Sequence, residues 1–129
     1  MIVGVGVDVV DLARFKEKLA GTPALLERLF HPNERAYSAE KLAGCFAAKE
    51  AVVKAIGGPS GLSWVELSVV RDTQGRPWIN AEGETAQTFI DAGISKLHLS
   101  ISHDGGMLTA FVVAEGVGAL IDGEGGWNA

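Results

Sequence analysis

The spacing of hydrophobic positions changes period several times along this chain, and each change marks an element. Residues 2–10, IVGVGVDVV, alternate and are rich in valine, which predicts a buried strand. Asp11 supplies a cap for a helix running to about residue 20, which Gly21-Thr22-Pro23 ends. Pro23 opens a short helix to about residue 30, and His31-Pro32-Asn33-Glu34 opens another to about residue 38. The longest helical pattern covers residues 40–56 and stops at Gly57-Gly58-Pro59. Residues 62–71 read as a strand, Asp72-Thr73-Gln74-Gly75 as a turn, and residues 77–80 as the returning strand. An amphipathic helix over 82–92 ends at Gly93, and residues 97–102 and 108–114 make a last hairpin across Asp104-Gly105-Gly106. A strand, then helices, then hairpins with one helix between them predicts an α+β fold. Its mainly antiparallel sheet would pack against one long helix and shorter helices. The pattern assigns residues 1–115 to a single domain and the Gly-rich residues 116–129 to a disordered tail.

A length of 129 residues suits one core and is short for two. No apolar run approaches the roughly 20 residues that span a bilayer, so no membrane partner is expected. The opening Met1-Ile2-Val3-Gly4-Val5 lacks the basic segment and cleavage site of a secretory signal. Cys45 is the only cysteine, which excludes an internal disulfide and a cysteine-rich zinc site. A cytoplasmic location follows as the expectation. The net charge of −5 argues against nucleic acid as a partner. Its distribution is uneven. Residues 1–54 carry eight basic against seven acidic side chains, and residues 55–129 carry three against nine. The basic half is suited to steer an acidic ligand or protein.

Candidate chemistry sits at three places. On the long helix Glu50 and Lys54 lie one turn apart, so at about 100° per residue they point within roughly 40° of each other. Ala47 and Ala51 share that flank and leave it uncrowded, whereas Phe46, Val52, Val53 and Ile56 fall on a side that can bury. Asp8 interrupts a strand of valines, where a carboxylate is costly unless paired. Alternation sets Gly4, Gly6 and Asp8 on one face, and the glycines clear room there for a bulky ligand. The Gly4-x-Gly6 pair is no dinucleotide fingerprint, because Asp8 and valines stand where a helix should begin. Two carboxylates offer the oxygen ligands that Mg²⁺ prefers, with Lys54 and the neighbouring Lys49 available to phosphate. His103 ends a strand beside a Gly-rich turn, able to bind phosphate or carry a proton. Each place also has a plain reading: a strand-end cap, an i,i+4 helix pair, a histidine bonded to local backbone.

Three segments, Gly4-Val5-Gly6-Val7-Asp8, Phe46-Ala47-Ala48-Lys49-Glu50-Ala51-Val52-Val53-Lys54 and Leu99-Ser100-Ile101-Ser102-His103, resemble in order and spacing the motifs of holo-acyl-carrier-protein synthases. These are the small stand-alone 4′-phosphopantetheinyl transferases. The resemblance covers residues 1–115 and implies their fold. It implies transfer of 4′-phosphopantetheine from coenzyme A to a serine of apo-acyl carrier protein, with release of adenosine 3′,5′-bisphosphate, in fatty acid biosynthesis. By position it makes Asp8, Glu50 and Lys54 catalytic, with Asp8 and Glu50 holding Mg²⁺ (or Mn²⁺). It places Lys49, Lys54, Gly57, Gly58, Ser102 and His103 at CoA. The carrier is acidic in this family, so Arg14, Leu25 and Arg28 are the expected docking residues. A homotrimer with active sites between subunits is implied as well.

Two departures stand out. Cys45 precedes the aromatic residue where relatives often carry a basic one, so a nucleotide contact is missing or replaced. The loop after the helix, Gly57-Gly58-Pro59-Ser60-Gly61, is longer than the family's usual Gly-Thr-Gly. Two other readings use the same residues: a different Mg²⁺-dependent enzyme acting on pyrophosphate-containing nucleotides, and a non-catalytic module binding CoA or a carrier protein.

Overall fold

The computed structural model describes residues 1–117. Strand β1 (Ile2–Asp11) leads into α1 (Leu12–Gly21), whose first turn is capped by Asp11 accepting from the Arg14 amide. A short α2 (Leu25–Leu29) precedes a single 3-10 turn at Pro32–Glu34, where a helix to about residue 38 was expected. The difference has a cause. His31 and Glu34 close a reciprocal capping box, and Glu34 then turns inward to serve other partners. Ser38 caps the long α3 (Ala39–Ile56), which ends on Gly57 at φ 93°. The expected strand over 62–71 divides into a 3-10 turn at Trp64–Glu66 and β2 (Leu67–Arg71). β3 (Pro77–Ala81), α4 (Gly83–Asp91), β4 (Ile94–Asp104) and β5 (Met107–Gly116) follow.

Both sheets are antiparallel, one in the order β1-β5-β4 and the other the β2-β3 hairpin. The β4-β5 turn is two residues, Gly105 and Gly106, both at positive φ, the geometry that matches strand twist. β4 and β5 are longer than the pattern indicated. Gly116 still donates to the Met1 carbonyl and Val117 to Gly93, so the ordered chain outlasts the expected boundary at 115. The tail expected beyond it lies, from residue 118, outside the described residues.

Helix α3 crosses the three-stranded sheet and is buried on nearly all sides, with Ala47, Ala48, Ala51 and Val52 at 0 % exposure. Its alanine flank is therefore not open. A Cβ at Gly6 would fall inside the Ala51 carbonyl oxygen and 2.8 Å from the Ala55 nitrogen, and one at Gly4 would strike the Ala55 carbonyl. The glycines expected to make room for a ligand instead make room for the helix backbone. That close approach fixes the height of α3 above β1, and with it the positions of Glu50 and Lys54 over Asp8. Gly6→Ala is accordingly expected to cost about 3 kcal/mol, at the upper end of overpacking changes. A loss below about 1 kcal/mol in urea unfolding would refute the tight contact.

The opposite face of β1 is not buried, contrary to the expectation from its valines. Val5, Val7 and Val9 are more than half exposed, and Phe111 on the paired strand is 45 % exposed.

Candidate active site

Asp8 lies on the α3 side of β1, and Glu50 faces it from the helix. Both line one cleft of about 280 Å³, together with Arg14, Phe15 and Lys18 of α1. The Lys54 ammonium donates to the Asp8 carboxylate at 3.1 Å and to the Val7 carbonyl at 2.9 Å, leaving more than half of its side chain in solvent. Asp8 and Glu50, forty-two positions apart in sequence, thus line the same cleft. They also sense each other. Burial first, and the negative charge of Asp8 second, push the Glu50 carboxyl up from its ordinary range, while Lys54 opposes them. A cation between the two carboxylates would reverse that repulsion, so the donor set fits a hard divalent ion held by two carboxylates and otherwise by water and substrate. Among the described residues, no group of three or more His, Cys, Asp or Glu side chains is arranged to enclose a metal. The fit is to an open site.

Lys49 requires correction. It is 0 % exposed, and its ammonium donates to Glu34 Oε1 at 2.6 Å, the Leu29 carbonyl at 2.8 Å and the Trp64 carbonyl at 3.1 Å. All three donors of the amine are committed, so it has none left for CoA phosphate. The neighbouring residue on a helix points about 100° away. That rotation carries Lys49 from the cleft of Glu50 into the interior.

The remaining expected residues separate into clusters. Lys54 and Gly57 line a second cleft of about 510 Å³ beside the start of β1, with Gly58 following at φ 149°. His103 lines a third, of about 500 Å³, on the other flank of α3. Ser102, the next residue along β4, faces the opposite way and is exposed, so it does not join His103 there. Arg14 and Arg28 are exposed, and Leu25 lines an apolar hollow of about 60 Å³ between α1 and α2. Lys18 borders both that hollow and the carboxylate cleft. It was not singled out from the sequence, although its i,i+4 spacing from Arg14 places the two on one helix face.

The chain matches the family described as the 4′-phosphopantetheinyl transferase superfamily over residues 4–112. It is 53 % identical over 116 residues to the holo-[acyl-carrier-protein] synthase of Clavibacter michiganensis subsp. michiganensis, covering 90 % of this chain and 98 % of the relative. The holo-[acyl-carrier-protein] synthase of Salinispora arenicola is 51 % identical over 121 residues, covering 89 % and 99 %. Among solved structures, the Neisseria meningitidis holo-[acyl-carrier-protein] synthase superposes with a TM-score of 0.83 at 32 % identity, covering 89 % of this chain and 99 % of that one. The Helicobacter pylori synthase in complex with coenzyme A superposes with a TM-score of 0.76 at 32 % identity, covering 86 % and 99 %.

Proposed function

The chain belongs to the 4′-phosphopantetheinyl transferase superfamily, and from that premise we propose that it is a holo-acyl-carrier-protein synthase. It transfers 4′-phosphopantetheine from coenzyme A to a serine of apo-acyl carrier protein and releases adenosine 3′,5′-bisphosphate. The observation that carries this reading is identity of about half over nearly the full length of relatives bearing that name. The cleft that holds Asp8 and Glu50, with Lys54 bonded to the Asp8 carboxylate, supports it with suitable chemistry.

The reaction is a phosphoryl transfer, in which the protein chiefly positions groups and neutralises charge. Asp8 and Glu50 would hold Mg²⁺, which when bound withdraws charge from the pyrophosphate; Mn²⁺ offers the same hard-ligand chemistry. Lys54 brings a fixed positive charge to the same place on the rigid α3, suited to the oxygens of the departing bisphosphate. The serine must give up a proton as it attacks. The Glu50 carboxylate, which lines the cleft with Asp8, would be available to accept it. Gly57 and Gly58, free of side chains at positive φ, let backbone come close to a phosphate.

Arg14 and Arg28, exposed on α1 and α2 with Leu25 between them, form the docking edge for the acidic carrier, and Lys18 extends it to the carboxylates. Val5, Val7, Val9 and Phe111 make a contiguous apolar strip on the outer face of the sheet. We assign it to contact between subunits of a homotrimer, since a monomer would leave this strip in water. No helix among the described residues is long and apolar enough to cross a membrane. The role proposed for this chain, on its identity to these synthases, is that of a cytoplasmic enzyme serving fatty acid biosynthesis.

The test is direct. Incubated with CoA, Mg²⁺ and apo-acyl carrier protein, the chain is expected to raise the carrier's mass by one phosphopantetheine group. No gain would overturn the transferase. Cleavage of CoA without carrier would indicate a hydrolase of pyrophosphate bonds instead.

A further inference from the structure

Helix α2 carries Leu25 and Arg28, yet it is poorly equipped to stand alone. Its five residues make little more than one turn, too few for a helix to hold itself in water. None of them is buried, and Ala24 gives the start no side-chain cap. Its main packing neighbour is the 3-10 turn at Trp64–Glu66. A helix this short also leaves nearly all its carbonyls without a partner of their own. Two cations at its C-terminal end supply those partners.

Lys49 is the first. From α3 it donates to the Leu29 carbonyl at 2.8 Å and to the Trp64 carbonyl at 3.1 Å, so the helix and its neighbouring turn share one anchor. Arg35, half-buried at the end of the 3-10 turn Pro32–Glu34, is the second. Its Nε donates to the Phe30 carbonyl at 3.1 Å and its Nη2 to the Glu27 carbonyl at 3.2 Å. These two acceptors differ in kind. Phe30 is 0 % exposed, with its ring set edge-on against Phe15 of α1, so its carbonyl is a fixed point. Glu27 is exposed, and its carbonyl belongs to the planar peptide that joins it to Arg28. The amide of that same peptide donates to the Ala24 carbonyl at 3.2 Å. None of the ion pairs found among the described residues involves Arg35, so its rigid fork serves the two carbonyls. It spans from the core to the peptide plane that carries Arg28.

We propose that Arg35 is a positioning residue for carrier recognition: by bridging the Phe30 and Glu27 carbonyls it presets α2, and Arg28 with it, for the acidic carrier protein. This rests on the transferase reading above, in which Arg28 touches the carrier and Arg35 acts only through it. A surface already in its binding form is spared the cost of ordering, and one that is only partly in that form loses affinity in proportion. The effect of losing Arg35 therefore falls on the carrier. CoA is spared, because its proposed contacts lie on α3, the loop after it and β4.

The experiment compares the full chain with Arg35→Gln, Arg35→Lys, Arg28→Gln and the Arg28→Gln/Arg35→Gln double variant. Each is measured for kcat, for KM with apo-acyl carrier protein and with CoA, and for calorimetric binding of the carrier. In Arg35→Gln the KM for the carrier is expected to rise about five- to tenfold, with kcat and the KM for CoA within about twofold of the parent. Hydrogen exchange at the Arg28 amide should quicken while the amides of α3 keep their protection. Arg35→Lys keeps the charge, loses the fork and recovers only part of the loss. In the double variant the two changes should not multiply, because one works through the other. Multiplied effects would make Arg35 a carrier contact in its own right and overturn the proposal. Full recovery in Arg35→Lys would overturn it too, as would unaltered exchange at Arg28 or KM values for carrier and CoA that rise together. Failure of the transferase reading is distinguishable, since the parent chain would then add no mass to the carrier. Calorimetry still decides on Arg35 in that case. Carrier binding weakened in Arg35→Gln, and no further in the double variant than in Arg28→Gln, upholds the assignment; a parent chain that binds no carrier overturns it.

Discussion

Glu50→Gln is expected to lower phosphopantetheine transfer by about 10²–10³-fold while the protein stays folded. Glutamine keeps the size and shape of the side chain and removes only its charge. The residue is half-buried, and its carboxylate carries both a desolvation cost and repulsion from Asp8, so neutralising it relieves strain in the folded state. Thermal stability should therefore hold or rise slightly as activity collapses. Loss of activity with no loss of stability is the signature of a group retained for chemistry. Added Mg²⁺ separates the two variants further. It should stabilise the parent chain against heat by binding the folded state, and should do so far less in Glu50→Gln. Carrier mass in a timed assay and a thermal melt with and without Mg²⁺ check both halves. Transfer within tenfold of the parent would remove Glu50 from the mechanism, and an unaltered Mg²⁺ effect would remove it from the metal site.

The second large effect concerns stability. Lys49→Met should cost about 3–5 kcal/mol, because it leaves Glu34 as an uncompensated charge at 0 % exposure. Glu34 accepts from Lys49, from the His31 amide at 3.0 Å and from the Val69 amide at 2.8 Å, and so ties α3 to the 3-10 turn and to β2. Burial pulls the Lys49 amine below its ordinary range, and the Glu34 charge pushes it back. The pair is thus held by geometry more than by net energy. Pairing the change with Glu34→Gln should recover part of the loss, since the amide carries no charge and its oxygen still accepts from one of the two backbone donors, which bond separate carboxylate oxygens in the parent. Urea unfolding of the two single variants and the double variant measures the coupling. A cost below about 1 kcal/mol for Lys49→Met would mean that the amine sits in solvent after all, and would reopen its assignment to CoA.

Lys49 also shows where reading a sequence runs out. The run from Phe46 to Lys54 announced a helix carrying Glu50 and Lys54 on one flank, and both residues are where helical geometry put them. The same geometry placed Lys49 about 100° around the axis. Whether that direction meets ligand, water or interior depends on what covers the helix, and Glu34 is fifteen residues away on a different element. The glycines of β1 repeat the lesson. Their spacing declared that something bulky approaches that face of the strand, and helical backbone turned out to be what approaches. Period 2 in β4 sets His98, Ser100 and Ser102 on the face opposite His103. The joint placement of Ser102 and His103 at CoA came from the resemblance alone, and alternation divides the two.

The sequence by itself determined most element types, the α+β class, the cap at Asp11 and the stop at Gly57, and named Asp8 and Glu50, which line the carboxylate cleft, and Lys54, which bonds to Asp8. Those follow from periodicity, capping chemistry and short-range geometry, all of which act within a few residues. Tertiary structure alone decided which polar side chains of α3 are interior and which face of β1 is left to water. These are questions of what lies on the other side of an interface. Close packing answers them by bringing together residues whose separation along the chain carries no record of their distance in space.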